Sequence, residues 1–188
     1  MRLTPAMERY VLHWGEMGAR WGVNRSVAQI HALLYLAPHP ITAEEIADTL
    51  AIARSNVSMS LKELLAWGLV RRAPIRGDRR DHFEALRDNW EILTRIVEER
   101  KKREIDPTLS ILRACAMEAA TDGQTAPETR QRIEGLLEFL ETMSSWYEQV
   151  KSLPKPVLVT LLKMGGRVAR FVPRARGTAG KKRREDEA

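Results

Sequence analysis

The sequence has little of what marks secreted and membrane-spanning proteins. Of its 188 residues only one is a cysteine, Cys115, so no disulfide can form within the chain. The longest strongly apolar run, Val157 to Leu162, is far shorter than the roughly 20 residues needed to cross a bilayer. These scarcities predict a cytoplasmic protein that does not enter the membrane.

Residues suited to metal binding or catalysis are also sparse. The histidines show no i, i+4 pairing, and none is near the cysteine in the sequence; they are His13, His31, His39 and His82. We find no glycine-rich phosphate loop, nucleophile elbow or paired-carboxylate motif. We therefore expect no metal, no cofactor and no catalytic residue, and we interpret Cys115 as a small apolar side chain on a long helix.

Positive charge is concentrated in one segment of the chain. The formal net charge is +6, residues 53–80 carry +5, and residues 86–150 carry −4. A local excess of this kind predicts an anionic partner such as nucleic acid. The basic residues of the segment are Arg54, Lys62, Arg71, Arg72, Arg76, Arg79 and Arg80.

Apolar spacing and capping signals predict four helices in the first half of the chain. Thr4-Pro5 is typical of a helix start, and Thr42 with Glu45 forms a capping box. Pro40 leaves Ile41 room for only a short extended link. The predicted helices run from Pro5 to about Trp21, from Arg25 to Ala37, from Thr42 to about Leu50, and from about Ala53 to Gly68.

Two short strands are predicted after the fourth helix. Residues 69–73 and 81–85 flank the stretch PIRGDRR, whose Pro74, Gly77 and Asp78 favour a turn. Short helices followed by a hairpin with a basic tip are typical of a winged helix-turn-helix. The predicted fold is therefore mainly α, with a three-helix core, a β-hairpin wing, and long flanking helices for dimerisation.

The helical pattern continues beyond the wing. Helices are predicted over residues 88–104, from a fresh start at Asp106-Pro107 to about Ala120, and over residues 127–150. A last helix is predicted after the break at LPKP and runs to about Arg170. We divide the chain into an N-terminal helix (1–24), the winged helix-turn-helix (25–87), a dimerisation region (88–172) and a disordered charged tail (173–188). The basic run Lys181–Arg184 is either a solubilising tail or an arm that adds DNA affinity.

The outward face of the fourth predicted helix has short polar side chains suited to DNA. Asn56 is the best candidate for a base edge because an amide can bond adenine in both directions. The alternative is an ordinary solvated helix face and turn. The candidate DNA-binding residues are Arg54, Ser55, Asn56, Ser58, Met59, Ser60, Lys62, Arg71, Arg72, Arg76, Asp78, Arg79 and Arg80.

The stretch ITAEEIADTLAIARSNVSMSLKELLAWGLVRRAPIRGDRRDHFEAL resembles the winged helix of MarR-type transcription regulators. NVSMSLKELLAWGLV, WYEQVKSLP and GGRVARF resemble the glycine-betaine-synthesis-regulator branch, and the resemblance covers roughly residues 5–172. It implies that Asp78 holds Arg80 for insertion toward the minor groove. Ala53 departs from the usual Ser or Thr cap, a loss of about 1 kcal/mol unless Ser55 caps a helix that begins later.

Together these features predict a homodimeric repressor that binds a pseudo-palindromic operator in double-stranded DNA and joins the nucleoid when bound. Two alternatives remain open: a winged-helix module that binds an acidic protein, and a protein that coats DNA without sequence preference. Several aromatic residues are either core packing or a cage for a small cationic effector such as choline, which the branch suggests. These residues are Tyr10, Trp14, Trp21, Trp146 and Tyr147.

Overall fold

The computed structural model describes residues 1–165. Contacts group the chain into two units, Met1–Met143 and Ser144–Ala188. The predicted tail 173–188, its basic run Lys181–Arg184 and the predicted helix end near Arg170 lie outside the described residues. None of the helices in the described part is both long enough and apolar enough to cross a membrane.

Helices make up most of the described chain. The helices are α1 (Pro5–Arg20), α2 (Arg25–Leu36), α3 (Ala43–Leu50), α4 (Arg54–Ala66), α5 (Asn89–Arg100), α6 (Asp106–Thr121), α7 (Pro127–Lys151) and α8 (Lys155–Met164). A π-helical turn, Lys101–Ile105, joins α5 to α6. The strands are β1 (Ile41–Thr42), β2 (Val70–Arg72) and β3 (His82–Ala85).

The predicted helix starts at Thr4 and Thr42 are confirmed. The Thr4 hydroxyl accepts a hydrogen bond from the Met7 amide at 3.3 Å and caps α1. At α3, the Thr42 hydroxyl accepts from the Glu45 amide at 3.2 Å, and the Glu45 carboxylate accepts from the Thr42 amide at 2.8 Å. Both bonds of the capping box are therefore present, and they satisfy two amides that the helix itself leaves without acceptors.

Helix α2 lies at the centre of the core. Ile30, Leu33 and Leu34 are completely buried, and they pack with Ile46 of α3 and Leu64 of α4. Each such side chain contributes about 1.5–3 kcal/mol when it leaves water. This core holds the two helices of the helix-turn-helix at a fixed angle.

The predicted hairpin of β2 and β3 is present, and β1 adds a third antiparallel strand to it. The strand order is β1-β3-β2, with Ile41 opposite Phe83 and Thr42 opposite His82. Ile41 is in a short extended segment, as predicted, but this segment also pairs with β3, which was not predicted. Ile41 and Thr42 are buried, so their extended backbone needs hydrogen-bond partners, and β3 supplies them.

The turn between α3 and α4 contains two unfavourable alanines. Ala51 ends α3 with φ 51° and ψ 45°, the left-handed conformation that favours glycine. Ala53 precedes α4, and no side-chain hydrogen bond caps the helix. Because α4 begins at Arg54, both Arg54 and Ser55 are helical, and Ser55 does not cap a later start.

Helix α6 begins at Asp106, as predicted, but the π turn makes its path continuous with α5. Through the π turn, the Asp106 amide donates to the carbonyl of Lys101, five residues earlier. Pro107 cannot donate to the Arg103 carbonyl and would crowd it in a regular α-helix. The wider π turn accommodates this proline without breaking the helical path.

Gly68 ends the fourth helix and returns the chain to the core. The Leu69 amide donates to the Leu64 carbonyl and the Gly68 amide to the Leu65 carbonyl, both at 3.0 Å. These two bonds form a Schellman motif, and Gly68 has the positive φ of 65° that the motif requires. A Cβ built on Gly68 would lie 2.0 Å from Nη1 of Arg95.

We expect Gly68→Ala to lower the free energy of unfolding by about 1–2 kcal/mol, because a Cβ disfavours the left-handed backbone. Gly22 is a matched control, since it ends α1 with the same two-bond motif and φ 75°, but a Cβ there meets nothing within 4 Å. Urea unfolding should show a smaller loss for Gly22→Ala. Equal losses would show that the Arg95 contact has no cost.

Candidate nucleic-acid interface

Four of the exposed residues of α4 lie at helical spacing and form one face. Ser55, Ser58, Met59 and Lys62 are all exposed, and Met59 has 67% of its surface accessible. The opposite stripe, which begins at Val57, is buried in the core. The face available to a partner is therefore short and polar apart from the methionine, with one positive charge.

One predicted DNA-binding residue, Ser60, is not on this face. Ser60 is only 2% exposed. It lies three residues after Val57 and four before Leu64, and this spacing places it on the buried stripe. The prediction for Ser60 was wrong.

Asn56 lies at the edge of the exposed face and is partly engaged within the protein. Its side-chain nitrogen donates to the hydroxyl of Ser26, in the first turn of α2, at 2.8 Å. The two-way adenine contact expected for Asn56 needs this nitrogen, and one of its two N–H donors is already bound to Ser26. Thirty residues separate Asn56 from Ser26, and periodicity alone could not reveal the contact.

Arg54 makes an ion pair with Glu44 of α3. Both side chains are largely exposed, so the pair adds little stability. It does tie the first residue of α4 to the preceding helix. The sequence reading did not assign Glu44 a role.

The wing presents its basic residues on a well-defined turn. The Asp78 amide donates to the Ile75 carbonyl at 3.1 Å, and Gly77 takes φ 88° within that turn. Arg76 and Arg79 are exposed at the tip. Along the strands, Arg71 pairs with Glu84 at 2.7 Å and Arg72 with Asp81 at 3.5 Å.

Asp78 orients Arg80, as the resemblance implied. The Asp78 carboxylate accepts from Nε of Arg80 at 3.1 Å and from its Nη2 at 2.6 Å, and it also accepts from the Arg80 amide at 3.0 Å. These hydrogen bonds hold the pKa of the Asp78 carboxyl well below its usual range. The same pairing raises the pKa of Arg80. The pair thus stays ionised at neutral pH, and the guanidinium is held in one orientation.

The exposed helix face and the wing border the same groove. A cavity of about 470 Å³ lies between α3, α4 and the wing. Its charged and polar lining is mostly basic, although Glu44 and Asp81 also contribute. The predicted residues that it brings together are Arg54, Ser58, Lys62, Arg72 and Arg80.

The winged-helix part of the chain is similar to known proteins. A model of the MarR family matches residues 19–81, which include α2, the helix-turn-helix and most of the wing. The HTH-type transcriptional repressor GbsR of Bacillus subtilis (strain 168) is 22% identical over 160 residues, which cover 81% of this chain and 83% of GbsR. Residues 19–81 are therefore a winged helix of the MarR type.

A solved structure shares the fold of this chain. It is described as the crystal structure of a transcriptional regulator and aligns with a TM-score of 0.61 at 19% identity. The alignment covers 78% of this chain and 96% of that one. At such low identity the likeness confirms the fold, with its winged helix and long helices.

A second groove is lined by three of the five predicted effector residues. Tyr10, Trp14 and Trp21 of α1 and its end border a cavity of about 480 Å³ between α1, α2, α4 and α5. The Tyr10 and Trp14 rings stack on one another, with centroids 5.4 Å apart. Trp146, which is 57% exposed, and Tyr147 belong to the other unit.

His31 lies in the wall of the second groove. Burial lowers the pKa of His31 from 6.5 to about 4, so its imidazole is neutral at pH 7. The unfolded chain binds the proton more readily, and stability falls as the pH drops from about 6.5 toward 4. Within residues 1–165, His31 Nε2 and Trp67 Nε1 are buried without a hydrogen-bond partner.

Residues 1–165 contain no group of three or more His, Cys, Asp or Glu side chains that could hold a metal ion. Cys115 is free and half-buried on α6.

Proposed function

We propose that this regulator is a sequence-specific repressor that binds double-stranded DNA, with α4 in the major groove and the wing against the neighbouring minor groove. The main support for this proposal is the groove between α4 and the wing, which Lys62 and Arg80 both line. Cations so placed can contact phosphates while the short side chains of α4 reach base edges. The basic charge of residues 53–80 supports the same assignment.

Repression is proposed from the relative whose name states it. GbsR is named a transcriptional repressor, and its similarity extends over 81% of this chain. A dimer bound across a promoter excludes polymerase by occupying the same DNA. The operator would then be a pseudo-palindrome, because two-fold symmetry in the protein matches two-fold symmetry in the site.

We further propose that the regulator is a homodimer formed through α6 and α7. Leu136, Phe139 and Met143 lie on one face of α7 and are exposed, and Ile111 and Met117 of α6 are exposed as well. Apolar side chains clustered at this density are typical of a protein interface. A second copy is the occupant that gives two recognition helices the spacing of adjacent half-sites.

The proposed effector is a small cation bound in the groove beside α1. Trp21 presents an exposed ring there, and quaternary ammonium groups bind to such ring faces. Two features limit the affinity: Tyr10 and Trp14 cover part of each other, and Arg100 contributes a positive charge to the lining. The proposal concerns only Tyr10 and Trp14 of α1 and Trp21, which follows it.

Salt dependence tests the DNA contact of the wing. Arg80→Ala should weaken binding to every duplex and flatten the dependence of log affinity on log salt by about one unit, because one fewer counterion is released. Asp78→Ala should reproduce part of the affinity loss by freeing the guanidinium. Arg113→Ala is a matched control, since it removes an exposed arginine paired with Glu141 at 2.8 Å, outside the winged helix.

The same titrations separate the rival functions. A protein adaptor would bind duplex DNA weakly and without preference, and a coating protein would show the salt slope but no preferred site. Selection from a randomised duplex pool should yield a two-fold symmetric site bound at least about 10³-fold more tightly than random duplex. Equal affinities for selected and random duplexes would contradict sequence-specific repression.

Phe139→Glu should weaken the homodimer at least about tenfold, because a buried carboxylate without a partner costs more than 1.4 kcal/mol. Sedimentation equilibrium measures the change directly. Gln131→Glu adds the same charge to α7 off the apolar face and should leave the dimer intact. If Phe139→Glu also stays dimeric, the interface lies elsewhere, for instance on α1, where Leu12 is exposed.

Choline should bind with micromolar to millimolar affinity and change operator affinity, since each available ring offers about 0.5–2 kcal/mol to a desolvated cation. Tryptophan fluorescence and duplex binding would be followed during the titration. Trp21→Ala should abolish the fluorescence response while preserving the fold, because this ring is mostly exposed. Absence of both signals at millimolar choline would show that these rings only pack.

A further inference from the structure

One side chain outside the DNA interface contacts the C-terminal end of the recognition helix α4. The guanidinium carbon of Arg103 lies 4.8 Å from the centroid of the Trp67 ring. Its Nη1 lies 3.7 Å from the carboxylate of Glu63, and its Nε lies 3.8 Å from that of Glu99. Arg103 therefore links α4 and its final residue to α5.

The position of Arg103 depends on the π turn. The turn adds one residue to a helical cycle, which rotates every later side chain about the helix axis by roughly 100° relative to a regular helix. Arg100, the residue immediately before the π turn, donates to the carbonyl of Trp21 at the end of α1. It also donates to Glu104 at 3.2 Å. The same short segment thus contacts the end of α1 and the end of α4.

The energies of these contacts favour a role in orientation over one in stability. Arg103 and Glu63 are both partly exposed, and exposed ion pairs of this length contribute little to folding. At the other end of α4, Ala53 provides no side-chain cap. The Arg54–Glu44 ion pair and the Asn56–Ser26 hydrogen bond hold that end, and the Arg103 contacts restrain the C-terminal end of α4.

We propose that Arg103 is a positioning residue that fixes the orientation of the recognition helix from the π turn, through its stacking on Trp67 and its contacts with Glu63 and Glu99. This inference rests on the proposed sequence-specific DNA binding. A helix held at one angle presents its side chains to bases in register, whereas a loosened helix must be ordered during binding. The effect therefore falls on the preferred site more than on random DNA, where register does not matter.

The test compares Arg103→Ala, Arg103→Lys and Lys102→Ala in the full-length protein. Lys102 is the exposed neighbour on the same turn, and Lys102→Ala removes the same charge as Arg103→Ala. Arg103→Ala should lower affinity for the selected duplex about 3–10-fold and affinity for random duplex less than about twofold, with an unchanged salt slope. Arg103→Lys keeps the charge and should recover most of the loss, and Lys102→Ala should match the wild type.

A second measurement needs no DNA. In Arg103→Ala, amide hydrogen exchange should speed up at residues 63–67 while the rest of the core keeps its protection, since the free end of α4 opens locally. Adding Glu63→Gln to Arg103→Ala should cost less than the sum of the single changes, because the two residues share one contact. Additive effects would overturn the contact proposed between them.

The outcomes separate the two proposals. Equal losses on selected and random duplexes with a flatter salt slope would make Arg103 a phosphate contact, and unchanged exchange at residues 63–67 would also overturn its positioning role. If the wild type shows no duplex preference while Arg103→Ala still accelerates exchange at residues 63–67, sequence-specific binding fails and the restraint on α4 stands.

Discussion

The pairing of β1 with β3 is the constraint on which the proposed DNA-binding surface depends. Only two residues form β1, yet Ile41 is buried opposite Phe83, and Thr42 pairs with His82 while its side chain caps α3. One residue thus ends the sheet and begins the helix-turn-helix. Because of this coupling, the wing cannot rotate independently of α3, and the groove between α4 and the wing keeps its width.

The sequence predicted the elements whose signals are local. Capping residues at Thr4 and Thr42 marked helix starts, Gly68 marked the end of α4, and the turn around Gly77 marked the wing. Each of these depends on the conformational preference of one or two residues. Ser60 shows the limit of reading by residue type, because its spacing from Val57 already indicated burial and its polarity suggested exposure.

Features that depend on distant contacts could not be predicted from the sequence. The hydrogen bond between Asn56 and Ser26 changes what Asn56 can offer to DNA, and it joins residues 30 apart in the sequence. The third strand required the knowledge that Ile41 meets Phe83. The continuous helix through Pro107 required a π turn, which has no reliable local signature. The first two arise from packing between elements that periodicity treats separately, whereas the π turn is a local departure from the regular helix.

The two alanines in the turn between α3 and α4 have an evolutionary consequence. Glycine at 51 would relieve the left-handed backbone, and serine at 53 would supply the absent cap, so the sequence stands one amino-acid exchange away from a firmer turn at each position. Proteins retain such unrealised gains when selection does not reward extra rigidity. A laboratory evolution experiment that selects for heat resistance should therefore enrich substitutions in this turn. Assays of those variants would show whether regulation tolerates a more rigid recognition helix.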